Sequence, residues 1–346
     1  PAQTVIDGDG VGPVVQMVAG ESRNAVLNGF TIRGGAHTLY AGGVHIADAS
    51  PTLRNNRIID NLGGRLGHGI SLVRSANALI VGNQISLNRS TPTGNGSGGG
   101  GGIGIRGAGT VEIRGNQISA NRADRFSSGG GINLDDAGSP RIMGNLIDAN
   151  VARLHGAGIS IVGRSAALIE NNQISHNQLL EPGYGGALSW LLPPGANPVR
   201  VVNNTLAHNL AEIASGIHAD GDDQFARVAN NLVLASADVS AIDCGESYDD
   251  APPALDHNNA VSASAAYAGL CADALGRDGN LSVAEAFGAD YRPLTGSANI
   301  DAGDNAASSE PVDIFGRARI VDGNDDHQAR IDIGAVEFGS VISGGQ

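Results

Sequence analysis

The sequence predicts an all-β fold, a parallel β-helix of about nine to ten coils followed by a small carboxyl-terminal cap unit. Three observations carry this. Asn28, Asn56, Asn83, Asn116, Asn145, Asn172, Asn204, Asn231 and Asn258 recur 27 to 33 residues apart. The first eight open an Asn-x-apolar unit, so Phe30, Ile58, Ile85, Ile118, Ile147, Ile174, Leu206 and Val233 are expected to stack in one inward column. A second polar column follows five residues on, at Asn61, Asn88, Asn121, Asn150, Asn177 and Asn209. A short period with fixed apolar and polar slots marks a solenoid, because one repeat cannot bury its own apolar face.

Each repeat consists of strands. Three residues before each Asn, from Asn56 on, stands another apolar column: Leu53, Ile80, Ile113, Ile142, Ile169, Val201, Val228 and Leu255. Short alternating runs lead into it, and period-two alternation bounded by Gly and Asn is strand patterning. A third strand, opened by glycine, lies about thirteen residues earlier, as in Gly102-Ile103-Gly104-Ile105 and Gly131-Ile132-Asn133-Leu134, and more loosely at Gly186-Ala187 and Gly216-Ile217. No residues remain for a crossover helix, so successive turns must pair in parallel. Asparagine suits the corners because it tolerates the left-handed conformation and its amide can bond the next coil. At about 4.8 Å per coil, nine coils give a rod on the order of 43 Å.

Composition fits narrow coils. Aromatic residues are 3% of the chain and glycine is 52 of 346 residues. The formal charge is −14, from 21 basic and 35 acidic residues, and every basic residue is Arg. No basic stripe suits nucleic acid, and chemistry requiring lysine is excluded. No apolar run reaches the length of a membrane span, and no signal peptide is in view at Pro1. Cys244 and Cys271 flank Asn258. They form either a bridge closing the last coil, as in an exported protein, or two buried thiols; a bridge is expected.

Residues 4–258, opening with Thr4-Val5-Ile6-Asp7-Gly8 and Leu27-Asn28-Gly29-Phe30-Thr31-Ile32, resemble bacterial secreted right-handed parallel β-helix proteins. That pectate-lyase-like superfamily includes polygalacturonases, alginate lyases and mannuronan epimerases. The segments Asn299-Ile300-Asp301-Ala302-Gly303-Asp304, Asp313-Ile314-Phe315-Gly316-Arg317 and Ile331-Asp332-Ile333-Gly334-Ala335-Val336-Glu337-Phe338 resemble the choice-of-anchor Q domain of bacterial surface proteins. The resemblance implies a right-handed β-helix over 1–271, an anchor-type cap over 272–338 and a tail or linker over 339–346. It also implies secretion or display at a bacterial surface.

Two insertions, Arg89 to Gly101 and Leu191 to Pro198, are expected to wall a groove along the glycine-opened strand. Alternation gives one outward column as His45, Ser71, Gly104, Asn133, Ser160, Leu188 and His218, and the next as Ala47, Val73, Arg106, Asp135, Val162, Trp190 and Asp220. His68, His155 and Tyr184 stand at the leading edge. Trp190 and Tyr184, with Asn133, Ser160 and His68, are the expected sugar contacts, since a flat apolar platform beside oriented polar groups suits a saccharide. Asp135 or Asp136 would act as general acid in a glycoside hydrolase. Arg106 or His155 would supply the base of a lyase, which here has no lysine.

Gly67-His68-Gly69 and Asp135-Asp136 resemble polygalacturonase elements, but in reversed order and without Arg-Ile-Lys. The Asp-Pro-His element of the epimerases is absent as well. Calcium, structural or substrate-bridging, is expected at Asp301, Asp304, Asp322 and Asp326, hard oxygen ligands beside turn glycines. No organic cofactor is expected: the G-x-G-x-x-G match at 94–99 leads into a strand, not a crossover helix. The functional expectation is therefore an exported β-helix that binds, and as a lyase or hydrolase cleaves, an extracellular polysaccharide. The alternative is a noncatalytic surface scaffold or adhesin displayed through its carboxyl-terminal unit.

Overall fold

The computed structural model describes residues 4–339 except 75–76, 92–98, 108, 125–126, 194, 196–197, 222–224, 237 and 249. The chain winds through about nine turns of a parallel β-solenoid. Sheet 1 holds nine three-residue strands, from Val26–Asn28 to Ala254–Asp256. Sheet 2 holds ten, from Val5–Asp7 to Asn259–Val261. Sheet 3 has five two-residue strands, Leu62–Gly63 to Gln178–Leu179, and sheet 4 has ten, Val15–Met17 to Tyr267–Gly269.

Most strands of sheets 1 and 2 are short because a left-handed residue ends them. Between sheets 1 and 2 this corner is taken by Asn55, Gly82, Gly115, Gly144, Asn171, Asn203 and Asn230, with φ between 52° and 65°. The ladder asparagine is the next residue, so it does not itself adopt the left-handed conformation. Its work is hydrogen bonding. Asn83 Nδ2 donates to Asn116 Oδ1 at 3.0 Å and back to Leu53 O at 2.9 Å, while its backbone N–H donates to the same Oδ1 at 2.9 Å. This pattern runs from Asn56 to Asn280, and a parallel ladder runs from Asn61 to Asn209. The ladder amides from Asn56 to Asn258 are thereby satisfied away from water.

The core columns stack in register. Ile58, Ile85, Ile118, Ile147 and Ile174 are fully buried, each against its equivalent on the next turn. Each such side chain contributes roughly 1.5–3 kcal/mol of burial. The first coil departs from the expected register. Ile32, not Phe30, takes this place in the column, beneath Ile6, because Asn28 pairs with Arg54 and is exposed, leaving Phe30 level with the ladder, where its N–H donates to Asn56 Oδ1.

A second departure lies in sheet 4. Leu188 pairs with Ile159, Ser189 with Ser160 and Trp190 with Ile161. Ala187 thus fills the slot that glycine holds in earlier coils, and the strand starts one residue later than Gly186 suggests. A one-residue slip exchanges the faces of a strand, so Leu188 and Trp190 point inward and both are fully buried.

The carboxyl-terminal unit contains one antiparallel pair, Ile320–Val321 with Arg330–Ile331. It packs along the flank of the solenoid. Asn171 Nδ2 donates to Val312 O at 2.8 Å, Asn203 Nδ2 to Asp332 O at 3.0 Å and Asn230 Nδ2 to Asp304 O at 3.0 Å. The fully buried Glu170 accepts from the hydroxyls of Ser308 and Ser309 at 2.6 and 2.5 Å and from Ser309 N at 2.7 Å. The solenoid end is closed separately, by Asn280 on the ladder and by the Tyr267 hydroxyl, which donates to Asn258 O at 3.1 Å. Cys244 and Cys271 are disulfide-bonded there.

Candidate functional site

The outer face of sheet 4 is partly roofed by the chain itself. Before each strand the backbone folds back, forming bridges of Leu66 to Gly99 to Ser128 and of His155 to Tyr184 to Ile213. The fold-back takes a left-handed residue, glycine at Gly67, Gly100, Gly129, Gly156 and Gly185 and alanine at Ala214. A Cβ on Gly129, at φ +67°, would lie 2.9 Å from Asn133 Cα, and one on Gly185 would lie 2.9 Å from Ser189 Cβ.

This roof corrects several expectations. Asn133 and Ser160 do point away from the core, yet both are buried beneath the fold-back, with no open ligand face. His68 is buried too: its Nδ1 lies 3.1 Å from Arg122 O, and burial lowers its pKa to about 4. Trp190 is a core residue and offers no platform. Asp135 pairs with Arg106 at 2.6 Å, so each neutralises the other. Asp136 takes a corner at φ 49° and accepts the Arg164 N–H at 2.8 Å, which separates its role from that of its neighbour. The expected loop walls lie partly outside the described residues, at 92–98 and at 194, 196 and 197.

Two expected residues remain at an open site. The Tyr184 ring, part-exposed, stacks on His155 at 5.4 Å and on His218 at 4.5 Å. His155 is held below the usual imidazole range, first by burial and then by the nearby His218.

Beyond Tyr184 the sheet opens into a cleft of about 560 Å³ whose walls include Tyr184, His218, Asp220, Asp243, Glu246 and Tyr248. His218 and Asp243 are register partners on adjacent strands, with Nδ1 and Oδ2 2.9 Å apart. The His218 side chain is only 4% exposed. Asp220 is buried and accepts the Tyr248 N–H at 2.9 Å, which fixes the wall from Gly245 to Tyr248. Cys244 lines the same cleft, so the disulfide holds one edge of it.

This is an arrangement for a polar ligand with flat apolar faces. Tyr248 is exposed, the edge of the stacked Tyr184 borders it, and the floor offers carboxylate acceptors. In the neutral imidazole, donation from Nδ1–H to Asp243 leaves Nε2 as an acceptor, so the dyad can take a proton. Asp243, Glu246 and Tyr248 were missed because glycine no longer opens the strand there. The remaining signal is Ile242-Asp243-Cys244, which repeats the alternation of Ile217-His218-Ala219 25 residues later.

The four aspartates expected to bind calcium serve other partners. Asp301 Oδ2 accepts from Gly323 N and Asn324 N, both at 2.9 Å, and Asp304 pairs with Arg227 at 2.7 Å. Asp322 accepts from His327 N at 2.9 Å, and Asp326 from Gln328 N at 2.8 Å. Among the described residues, no group of three His, Cys, Asp or Glu side chains gathers to hold a metal ion. Asp301 Oδ1 is buried without a hydrogen-bond partner, while the remaining donors cap turns or form an ion pair, so the four carboxylates do not converge on one point.

A family model described as "Right handed beta helix region" matches residues 17–234. No curated protein and no solved structure matches the chain.

Proposed function

Because the chain belongs to the right-handed β-helix family, we propose that it is an exported protein that binds an extracellular polysaccharide in the cleft beside Tyr184 and Tyr248. The observation that carries this reading is one concave site in which exposed Tyr248 stands beside the His155–Tyr184–His218 ring stack, over a floor of carboxylates. Sugar rings stack their apolar faces on aromatics and direct hydroxyls to acceptors. The Cys244–Cys271 bridge supports export, since such bonds persist in oxidising compartments.

The His218–Asp243 dyad equips the cleft for hydrolysis, with Nε2 as the acceptor of a water proton. Elimination from a uronate is less well served, because among the described residues no Arg lines the cleft and the chain has no lysine to stabilise an enolate. Glycan-array and calorimetric binding of the full chain, with a reducing-end assay, test the reading. Tyr248→Ala should weaken binding about tenfold, and His218→Ala should abolish turnover while leaving measurable binding. No binding across a broad panel would remove the reading. A second reading, a rigid display rod, is favoured by the carboxyl-terminal unit, which Asn171, Asn203 and Asn230 bind to three successive corners.

A further inference from the structure

We infer that the cleft selects a glycan carrying cationic amino sugars, N-deacetylated hexosamine units, over neutral sugars and over uronates. The inference rests on the glycan-binding reading above and specifies its substrate class. Asp220, Asp243 and Glu246 all line the cleft, and among the described residues no Arg does. Arg106 of the same sheet and Arg74 at the corner after it stand several turns away and are already paired, with Asp135 and Asp48.

Burial sharpens the contrast. Asp220 is 2% exposed, and among the described residues no ion pair reaches it. A carboxylate withdrawn from water without a cation is costly unless something balances it. Among the described residues its hydrogen-bond partner is the Tyr248 N–H, which holds one oxygen. The Asp243 side chain is 16% exposed, with one oxygen committed to His218. Glu246 stands between Gly245 and Ser247 on the wall that ends at Tyr248. An ammonium beside the stacking rings would balance these carboxylates through charge-assisted hydrogen bonds and a cation–π contact. A uronate would bring its own carboxylate into the same field with nothing to receive it. The acidic balance of the whole chain, −14, acts in the same sense at longer range.

Calorimetry of the full chain with β-1,4-linked hexamers of glucosamine, N-acetylglucosamine, glucose and mannuronate decides the matter. The glucosamine hexamer should bind most tightly, with affinity falling as salt shortens the Debye length from about 10 Å at 0.1 M toward 3 Å at 1 M. Glu246→Gln should narrow the preference for glucosamine over glucose about tenfold, the loss of one charge-assisted hydrogen bond. Tyr248→Ala should weaken the glucosamine hexamer as well, which separates binding in the cleft from attraction of a polycation to an acidic protein. Equal or tighter binding of glucose, N-acetylglucosamine or mannuronate overturns the charge inference and leaves the glycan reading standing. Binding insensitive to both variants, or no binding by any hexamer, overturns both.

Discussion

Asn145 shows what one side chain does at a corner. Its Oδ1 accepts from Asn116 N at 2.9 Å and Asn116 Nδ2 at 3.0 Å, while its Nδ2 donates to Ile113 O, Met143 O and Asn172 Oδ1 at 2.9 to 3.1 Å. Asn145→Ala strands these groups in a dry interior, and the expected cost is about 3–5 kcal/mol, from several unmade bonds at about 1–3 kcal/mol each. Urea unfolding with an unchanged m-value would measure it, and a loss below about 1 kcal/mol would contradict the ladder's energetic role. These amides were legible in the sequence because their spacing repeats and their neighbours are apolar. Trp190 was not. Its strand follows Gly186-Ala187, and a glycine that looks like the corner residue shifts the reading by one place, which in a strand reverses inside and outside. His218 was placed correctly on the outward column, but Asp243, which gives it meaning, lies where the glycine signal has faded.

The carboxyl-terminal unit belongs to the scale of the element. Its segments were visible as motifs, but their resting place was not, because Asn171, Asn203 and Asn230 occupy corners where Gly82, Gly115 and Gly144 serve equally well for the left-handed turn. Only the docked unit shows why the later corners carry amides. Its interior holds Arg319, Asp332 and Glu337, all buried, with Arg319 3.6 Å from Glu337. Burial, reinforced by Asp332, pushes Glu337 up to about 9, while burial pushes Asp332 up to about 6; Arg319 opposes both shifts. A carboxyl whose folded pKa is raised gives its full stabilisation below its unfolded pKa and loses it as pH climbs through the folded one. For Glu337 that window runs from 4.5 to about 9, and for Asp332 from 3.8 to about 6. The docked unit should therefore loosen as pH rises from 5 to 9, and Glu337→Gln should flatten that slope. Asp304, held low by Arg227, acts in the opposite sense, its contribution being lost only as pH falls below 3.8. Thermal unfolding of both proteins at pH 5, 7 and 9 tests this, and a wild-type stability that does not fall over the interval would refute it.

On the scale of the molecule the two ends are unequal. Among the described residues the strands Val5–Asp7, Val15–Met17 and Val26–Asn28 each have a partner on one side only, and Val5 and Val26 are exposed. The opposite end is closed by Tyr267, by the Cys244–Cys271 bridge and by a ladder that continues to Asn280, while the flank near it is clamped through Glu170, Asn203 and Asn230. A solenoid's stability is close to a sum of nearest-neighbour terms, so opening starts where neighbours are fewest and spreads inward. Amide exchange should thus be fastest over residues 4–47 and slowest over 142–234, where each turn has partners on both sides and the docked unit besides. Reducing the disulfide removes roughly 3 kcal/mol of constraint in the chain-entropy account. Protection over 242–269 should then fall toward that of the first coils, with 113–174 unchanged, and glycan affinity should fall with it because Cys244 forms an edge of the cleft. Exchange measured by mass spectrometry in oxidised and reduced samples tests both steps. Uniform protection along the rod, or a reduced protein that binds as tightly as the oxidised one, would show that the coils open as a single unit or that the cleft does not depend on its closed end.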